Sequence, residues 1–180
     1  VLDRPTALVA MLAVPAVLAL VGCERTGSAT GTTTGTTTPT ALAPNATVER
    51  VVDGDTVDVR IDDAVERVRL IGIDTPETKR HDVPVECYGP EATAFTEQLL
   101  APGTPVLLVR DVVGRDDFGR ILAYVYRTRD GVFVNLELAR GGYAQPLTIP
   151  PNTAHRDELV DAARDAERAE RGLWASCEGG

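Results

Sequence analysis

Val51-Val52-Asp53-Gly54-Asp55-Thr56-Val57-Asp58-Val59-Arg60-Ile61-Asp62 decides how this chain folds. Asp53-Gly54 is a hairpin-type turn signal. Beyond the turn, Val57, Val59 and Ile61 alternate with Asp58, Arg60 and Asp62, the period of a strand buried on one face.

The pattern continues downstream. Val68 to Ile73 is a further strand, with Asp62-Asp63 and their neighbours as the turn before it. Pro90-Glu91 opens a helix that carries Ala92, Phe95, Thr96 and Leu99 on one face. Val106 to Val113 and Ile121 to Arg127 are strand-like, and Asp130-Gly131 is the next turn. Asn135 is placed to cap a short helix over Leu136, Leu138 and Ala139 that stops at Gly141-Gly142. A last helix runs from about Asn152 to Arg171, with Leu159, Ala162, Ala163, Ala166 and Ala169 inward and Gly172 ending it. Early strands with late helices predict an α+β fold, and a small closed barrel is the economical way to remove sheet edges. Periodicity alone does not separate such a barrel from an open sheet.

Upstream the composition changes. Ala7 to Gly22 is an apolar run of the length of a signal-peptide core, ending Leu20-Val21-Gly22-Cys23. That ending resembles a bacterial lipobox, so residues 1–22 are expected to be removed and Cys23 lipidated; a plain secretory signal with an incidental cysteine is the alternative. Residues 23–46 are rich in Thr, Gly, Ser, Ala and Pro and lack apolar periodicity, which predicts a flexible tether. The folded domain is then 47–180, exported and membrane-tethered or secreted. Cys87 and Cys177 remain, and in an exported protein such a pair is expected to be bridged, closing a long loop. Metal ligation is the weaker alternative, since no CxxC or nearby His accompanies either cysteine. No heptad or large apolar stripe is left over, which predicts a monomer with no obligate protein partner.

The formal charge of −9 on 180 residues excludes a protein that grips nucleic acid by bulk charge. Any such activity must come from a local site. Asp53, Asp55, Asp74 and Glu77 form a carboxylate cluster carried by two turns, Asp53-Gly54-Asp55-Thr56 and Asp74-Thr75-Pro76-Glu77. Calcium takes six to eight oxygen ligands, which carboxylates, carbonyls and water can supply, although the spacing is not that of an EF-hand loop. Arg69 lies in the otherwise apolar Val68-Arg69-Leu70-Ile71-Gly72-Ile73, and Arg120 starts a strand after a turn. Two guanidinium groups around a phosphate could stabilise a pentavalent transition state. Singly, each of these is more often a turn, a salt-bridged strand residue or a solvated strand end.

Together they resemble the staphylococcal nuclease (thermonuclease) family. The matching stretches are Val51-Val52-Asp53-Gly54-Asp55-Thr56, Arg69-Leu70-Ile71-Gly72-Ile73-Asp74-Thr75-Pro76-Glu77-Thr78, Tyr88-Gly89-Pro90-Glu91-Ala92, Phe118-Gly119-Arg120-Ile121-Leu122-Ala123-Tyr124-Val125 and Val134-Asn135-Leu136. They occur in family order from about Val48 to Trp174. The resemblance implies a five-stranded OB-fold barrel with about three helices. It also implies calcium-dependent hydrolysis of DNA, RNA or both to products with 3′-phosphate ends. By position, Asp55, Asp74 and the Thr75 carbonyl are implied calcium ligands, Asp53 supports them from behind, Glu77 is the general base, and Arg69 and Arg120 bind phosphate.

Other positions depart from the family pattern. Asp117 falls where that pattern has a Lys contacting a terminal phosphate, and Phe118 where it has a Tyr. Leu147 and Ile149 replace tyrosines that line the nucleotide pocket. His81 is expected in a loop beside the active site, and His155 is expected to be structural. The competing expectation is a non-catalytic OB-fold module binding oligonucleotide or protein at the cell surface.

Overall fold

Ala46–Asp53 (β1) and Thr56–Ile61 (β2) form the expected hairpin around Gly54-Asp55, pairing antiparallel from Thr47↔Arg60 to Asp53↔Thr56. The computed structural model describes residues 42–79 and 84–177. The apolar run, Cys23, nearly all of the expected tether and His81 lie outside them. Among the described residues hydrogen bonding begins at Asn45, inside the expected tether: its main-chain N–H donates to the Val106 carbonyl, and its side chain bonds both main-chain groups of Leu108.

Ala64–Leu70 (β3) pairs antiparallel with β2, Pro105–Val109 (β5) with β1, and Ile121–Arg127 (β6) with β5. A parallel pairing of β3 with β6, Val68↔Ile121 to Leu70↔Ala123, closes the ring. The result is a five-stranded barrel, β1-β2-β3-β6-β5, and with its helices an α+β OB-fold. Val132–Phe133 (β7) pairs antiparallel with the end of β6, and Gly72–Asp74 (β4) pairs antiparallel with Gln145–Leu147 (β8). Among the described residues the helices are Gly89–Leu99 (α1), Val134–Arg140 (α2), Arg156–Arg168 (α3) and the single turn Leu173–Ser176 (α4).

Closure puts Val57, Val59, Val68, Leu70, Val106 and Val125 fully out of water, and Leu138 and Leu159 from α2 and α3 join the same core. At about 25 cal/mol per Å² of apolar surface, aliphatic burial of this kind is the main favourable term.

Three expectations need correction. Asp58, assigned to the solvent face of β2, is buried, because Arg50 on β1 and Arg67 on β3 cover it at 2.5 and 2.8 Å. The hydrogen bond from Arg67 holds its carboxyl below the usual carboxylate range. Asn135 does not cap α2. It lies inside the helix, fully buried, accepting from the Val125 N–H at 2.9 Å and donating to the Ile71 carbonyl at 2.8 Å. The last long helix starts at Arg156 rather than Asn152, because Asn152 is held by both main-chain groups of Val113 and the Ala154 N–H is taken by Asp111, and it ends at Arg168 rather than Arg171, which leaves Ala169 exposed.

A disulfide joins Cys87 to Cys177 across 90 residues, tying the segment before α1 to the chain after α4. A loop that long removes much unfolded-state entropy, and such bridges typically contribute about 2–4 kcal/mol. Cys177→Ser is therefore expected to lower the melting temperature of the oxidised protein by roughly 10 °C. An unchanged melting temperature would show that the bridge contributes nothing to the fold.

Candidate active site

The β1–β2 turn and the strand β4 face each other because two glycines permit it. A Cβ on Gly54 would sit 2.6 Å from the Thr75 hydroxyl oxygen, so only glycine lets these turns approach. Thr96 of α1 pins the same turn by donating to the Gly54 carbonyl at 2.6 Å. Gly72, at φ 82°, redirects the chain between β3 and β4. That bend brings Asp74 back over Arg69.

Arg69 is largely buried, and both of its terminal guanidinium nitrogens are engaged. One guanidinium nitrogen donates to the carbonyls of Leu70 and Ile73 at 2.6 and 3.0 Å. The other reaches Asp74 at 2.6 Å and Asp55 at 3.0 Å. Asp55 is held as tightly: its Oδ2 accepts from the Thr75 N–H and hydroxyl at 2.9 and 3.0 Å, and its Oδ1 accepts from the Thr56 hydroxyl at 3.1 Å. Glu77 turns one carboxylate oxygen, Oε1, back on its own chain, accepting from the N–H groups of Thr78 and Lys79 at 2.9 and 2.7 Å. Arg120 pairs with Asp116 at 2.7 Å and lies 5.5 Å from the centre of the Phe118 ring.

All seven residues singled out in the sequence, Asp53, Asp55, Arg69, Asp74, Thr75, Glu77 and Arg120, line one polar cavity of about 200 Å³. Glu86 lines it too and went unremarked in the sequence. It follows a stretch without periodicity, and only its alternative as one more surface acid was visible there.

The cavity holds more negative charge than its arginines neutralise. Burial, and then the neighbouring Asp55 charge, push Asp53 up to about 6. Burial also raises Asp74, and the carboxylates of Asp55, Glu86 and Glu77 add to the shift while Arg69 opposes it. Among the described residues no three acidic, histidine or cysteine side chains are grouped so as to hold a metal ion, and the Arg69 guanidinium bridges Asp55 and Asp74. The donor set is nonetheless all oxygen, which suits a hard divalent cation and not a thiolate- or imidazole-seeking metal.

A second cavity of about 380 Å³ shares Arg69 and Arg120 with the first. Its walls include Leu122, Leu147, Ile149 and Phe118, and the last two are largely exposed. Asp117 borders it as well. His155 is elsewhere, packed among Tyr124, Tyr126 and Phe133 with its Nδ1 3.0 Å from Glu158.

Comparison with known proteins agrees with this geometry. The family model described as "Staphylococcal nuclease homologue" matches residues 67–176. A thermonuclease of Staphylococcus intermedius is 41% identical over 127 residues, 71% of this chain and 74% of that protein. A thermonuclease of Staphylococcus hyicus is 36% identical over 129 residues, 72% of this chain and 75% of that protein. Endonuclease YncB of Bacillus subtilis (strain 168) is 33% identical over 132 residues, 73% of this chain and 62% of that protein. By fold, by motif order and by these matches, the chain belongs to the family of staphylococcal nuclease homologues.

Proposed function

We propose that the domain is a calcium-dependent nuclease, a hydrolase that cuts phosphodiester bonds in DNA, RNA or both and leaves 3′-phosphate ends. The observation that carries this reading is the single polar cavity in which Arg69, Arg120, Glu77 and the Asp53, Asp55 and Asp74 carboxylates meet. A module that only bound oligonucleotide would have no use for a cluster of carboxylates that repel phosphate.

Each group has a role that follows from its surroundings. Asp55, Asp74 and the Thr75 carbonyl would hold the calcium, and Asp53 buttresses them through its bond to the Asp55 N–H at 3.3 Å. A bound calcium would supply the positive charge that lets phosphate enter an acidic cavity. Arg69 and Arg120 grip the non-bridging phosphate oxygens and favour the extra negative charge of the transition state. Glu77 orients a water and takes its proton through Oε2, the oxygen not committed to Thr78 and Lys79. The apolar cavity beside the arginines receives the adjoining base, with Phe118 as its one aromatic wall. Stacking is worth roughly 1–3 kcal/mol per base, so aliphatic Leu147 and Ile149 predict a weaker and less selective grip than two further aromatic walls would give.

Calcium should also stabilise the fold. A cation bound only by the native state adds about 2.7 kcal/mol at 100 times its Kd. The melting temperature is expected to rise by several degrees with calcium, and Asp55→Asn to abolish the rise. Identical melting with calcium and with EGTA would remove calcium from the account.

Export and a lipid anchor at Cys23 belong to the same proposal. They rest on the apolar run ending Leu20-Val21-Gly22-Cys23 and on the Cys87–Cys177 disulfide, which persists in oxidising compartments.

A further inference from the structure

We propose that Glu86 is a positioning residue for Glu77, fixing the carboxylate that activates water. This rests on the reading of Glu77 given above.

Two hydrogen bonds tie the residues together in opposite directions. The Glu77 N–H donates to Oε2 of Glu86 at 2.9 Å, and the Glu86 N–H donates to the Glu77 carbonyl at 3.0 Å. Both main-chain polar groups of Glu77 are thus held by one residue. Among the described residues little else fixes Glu77, which follows the short β4 and whose Oε1 accepts from the next two amides.

Glu86 is itself well anchored. Its carbonyl accepts from the Gly89 N–H at 3.1 Å, which fastens it to the start of α1. Gly89 packs so closely on the Glu77 segment that a Cβ there would lie 2.6 Å from Thr78 Cγ2 and 3.0 Å from the Pro76 carbonyl. The next residue, Cys87, is bonded to Cys177. Position is therefore transmitted from helix and disulfide to Glu86, and from Glu86 to Glu77.

An exposed carboxylate added to an acidic cavity is electrostatically unfavourable. It contributes no core packing either. What it supplies is an acceptor for one amide, and a glutamine carbonyl can supply the same. A calcium ligand would behave differently, because a neutral amide is a poorer calcium donor than a carboxylate.

The test is steady-state kinetics of the full chain and its Glu86→Ala, Glu86→Gln and Glu77→Gln variants at saturating calcium. Melting, calcium affinity and amide exchange at Glu77 are measured alongside. Glu86→Ala should lower kcat by about 10–100-fold, the usual effect of losing an orienting partner. Melting temperature should be unchanged, calcium affinity should shift no more than in Glu86→Gln, which removes the same charge, and the Glu77 amide should exchange faster. Glu86→Gln should restore kcat to within about threefold of the parent, because its carbonyl accepts the same hydrogen bond. A normal kcat in Glu86→Ala beside an inactive Glu77→Gln would overturn the inference alone. Glu86→Gln as impaired as Glu86→Ala, with weakened calcium binding, would make Glu86 a ligand instead. A parent chain without activity, or a fully active Glu77→Gln, would overturn the reading of Glu77 and this inference with it.

Discussion

Arg69→Ala is expected to lower turnover by about 10²–10³-fold, the usual consequence of removing one donor to a developing oxyanion. Among the described residues Arg69 is also the one cation placed on both Asp55 and Asp74, so its loss leaves two carboxylates facing each other without a counter-charge. Two effects therefore come together and must be separated. The variant should be less stable in EGTA, and calcium should return most of that stability by neutralising the same carboxylates. Calcium should not return turnover. Arg69→Lys should remain slow as well, because an ammonium cannot reach two carbonyls and two carboxylates from one planar fork. Glu77→Gln is the companion. Its amide oxygen can still accept from Thr78 and Lys79, so the fold should be intact, while the lost base should cost about 10²–10⁴-fold. Near-parental turnover in either purified variant would show that the assigned roles are wrong.

Asn135→Leu carries the largest expected effect on stability. The Asn135 side chain is the cross-link between α2, β6 and the chain entering β4, and it has no access to water. Leucine has similar bulk but leaves the Val125 N–H and the Ile71 carbonyl without partners. Each unsatisfied buried group costs about 1–3 kcal/mol, so a loss of about 3–5 kcal/mol is expected in denaturant titrations. A loss below about 1 kcal/mol would mean that water or a backbone shift replaces both bonds.

The same residue shows where the sequence stops being informative. An Asn ahead of Leu136, Leu138 and Ala139 has the local form of a helix cap, and nothing local says that its partners are 10 and 64 residues away. The β1–β2 hairpin, by contrast, was legible because Asp53-Gly54 and the Val57, Val59, Ile61 alternation are both short-range signals. Asp58 broke that alternation only because arginines on two neighbouring strands cover it. The strand β8 was invisible: three residues with Pro146 in the middle have no period, and β8 exists because β4 pairs with it. Barrel closure through the parallel β3–β6 pairing was likewise beyond periodicity, and the family resemblance supplied it.

At the site, the seven residues drawn from the two turns and from the positions of Arg69 and Arg120 share one cavity, because glycine-dependent turns bring their segments together. Glu86 was missed since its significance is a hydrogen bond to a main-chain amide nine residues earlier, which no residue pattern encodes.

The most direct test of the central claim is cleavage of single-stranded DNA, duplex DNA and RNA by the purified chain, in calcium and in EGTA, with analysis of the product ends. Cleavage in calcium alone, with 3′-phosphate termini, is expected. A folded chain that binds calcium and cuts none of the three substrates would contradict that claim.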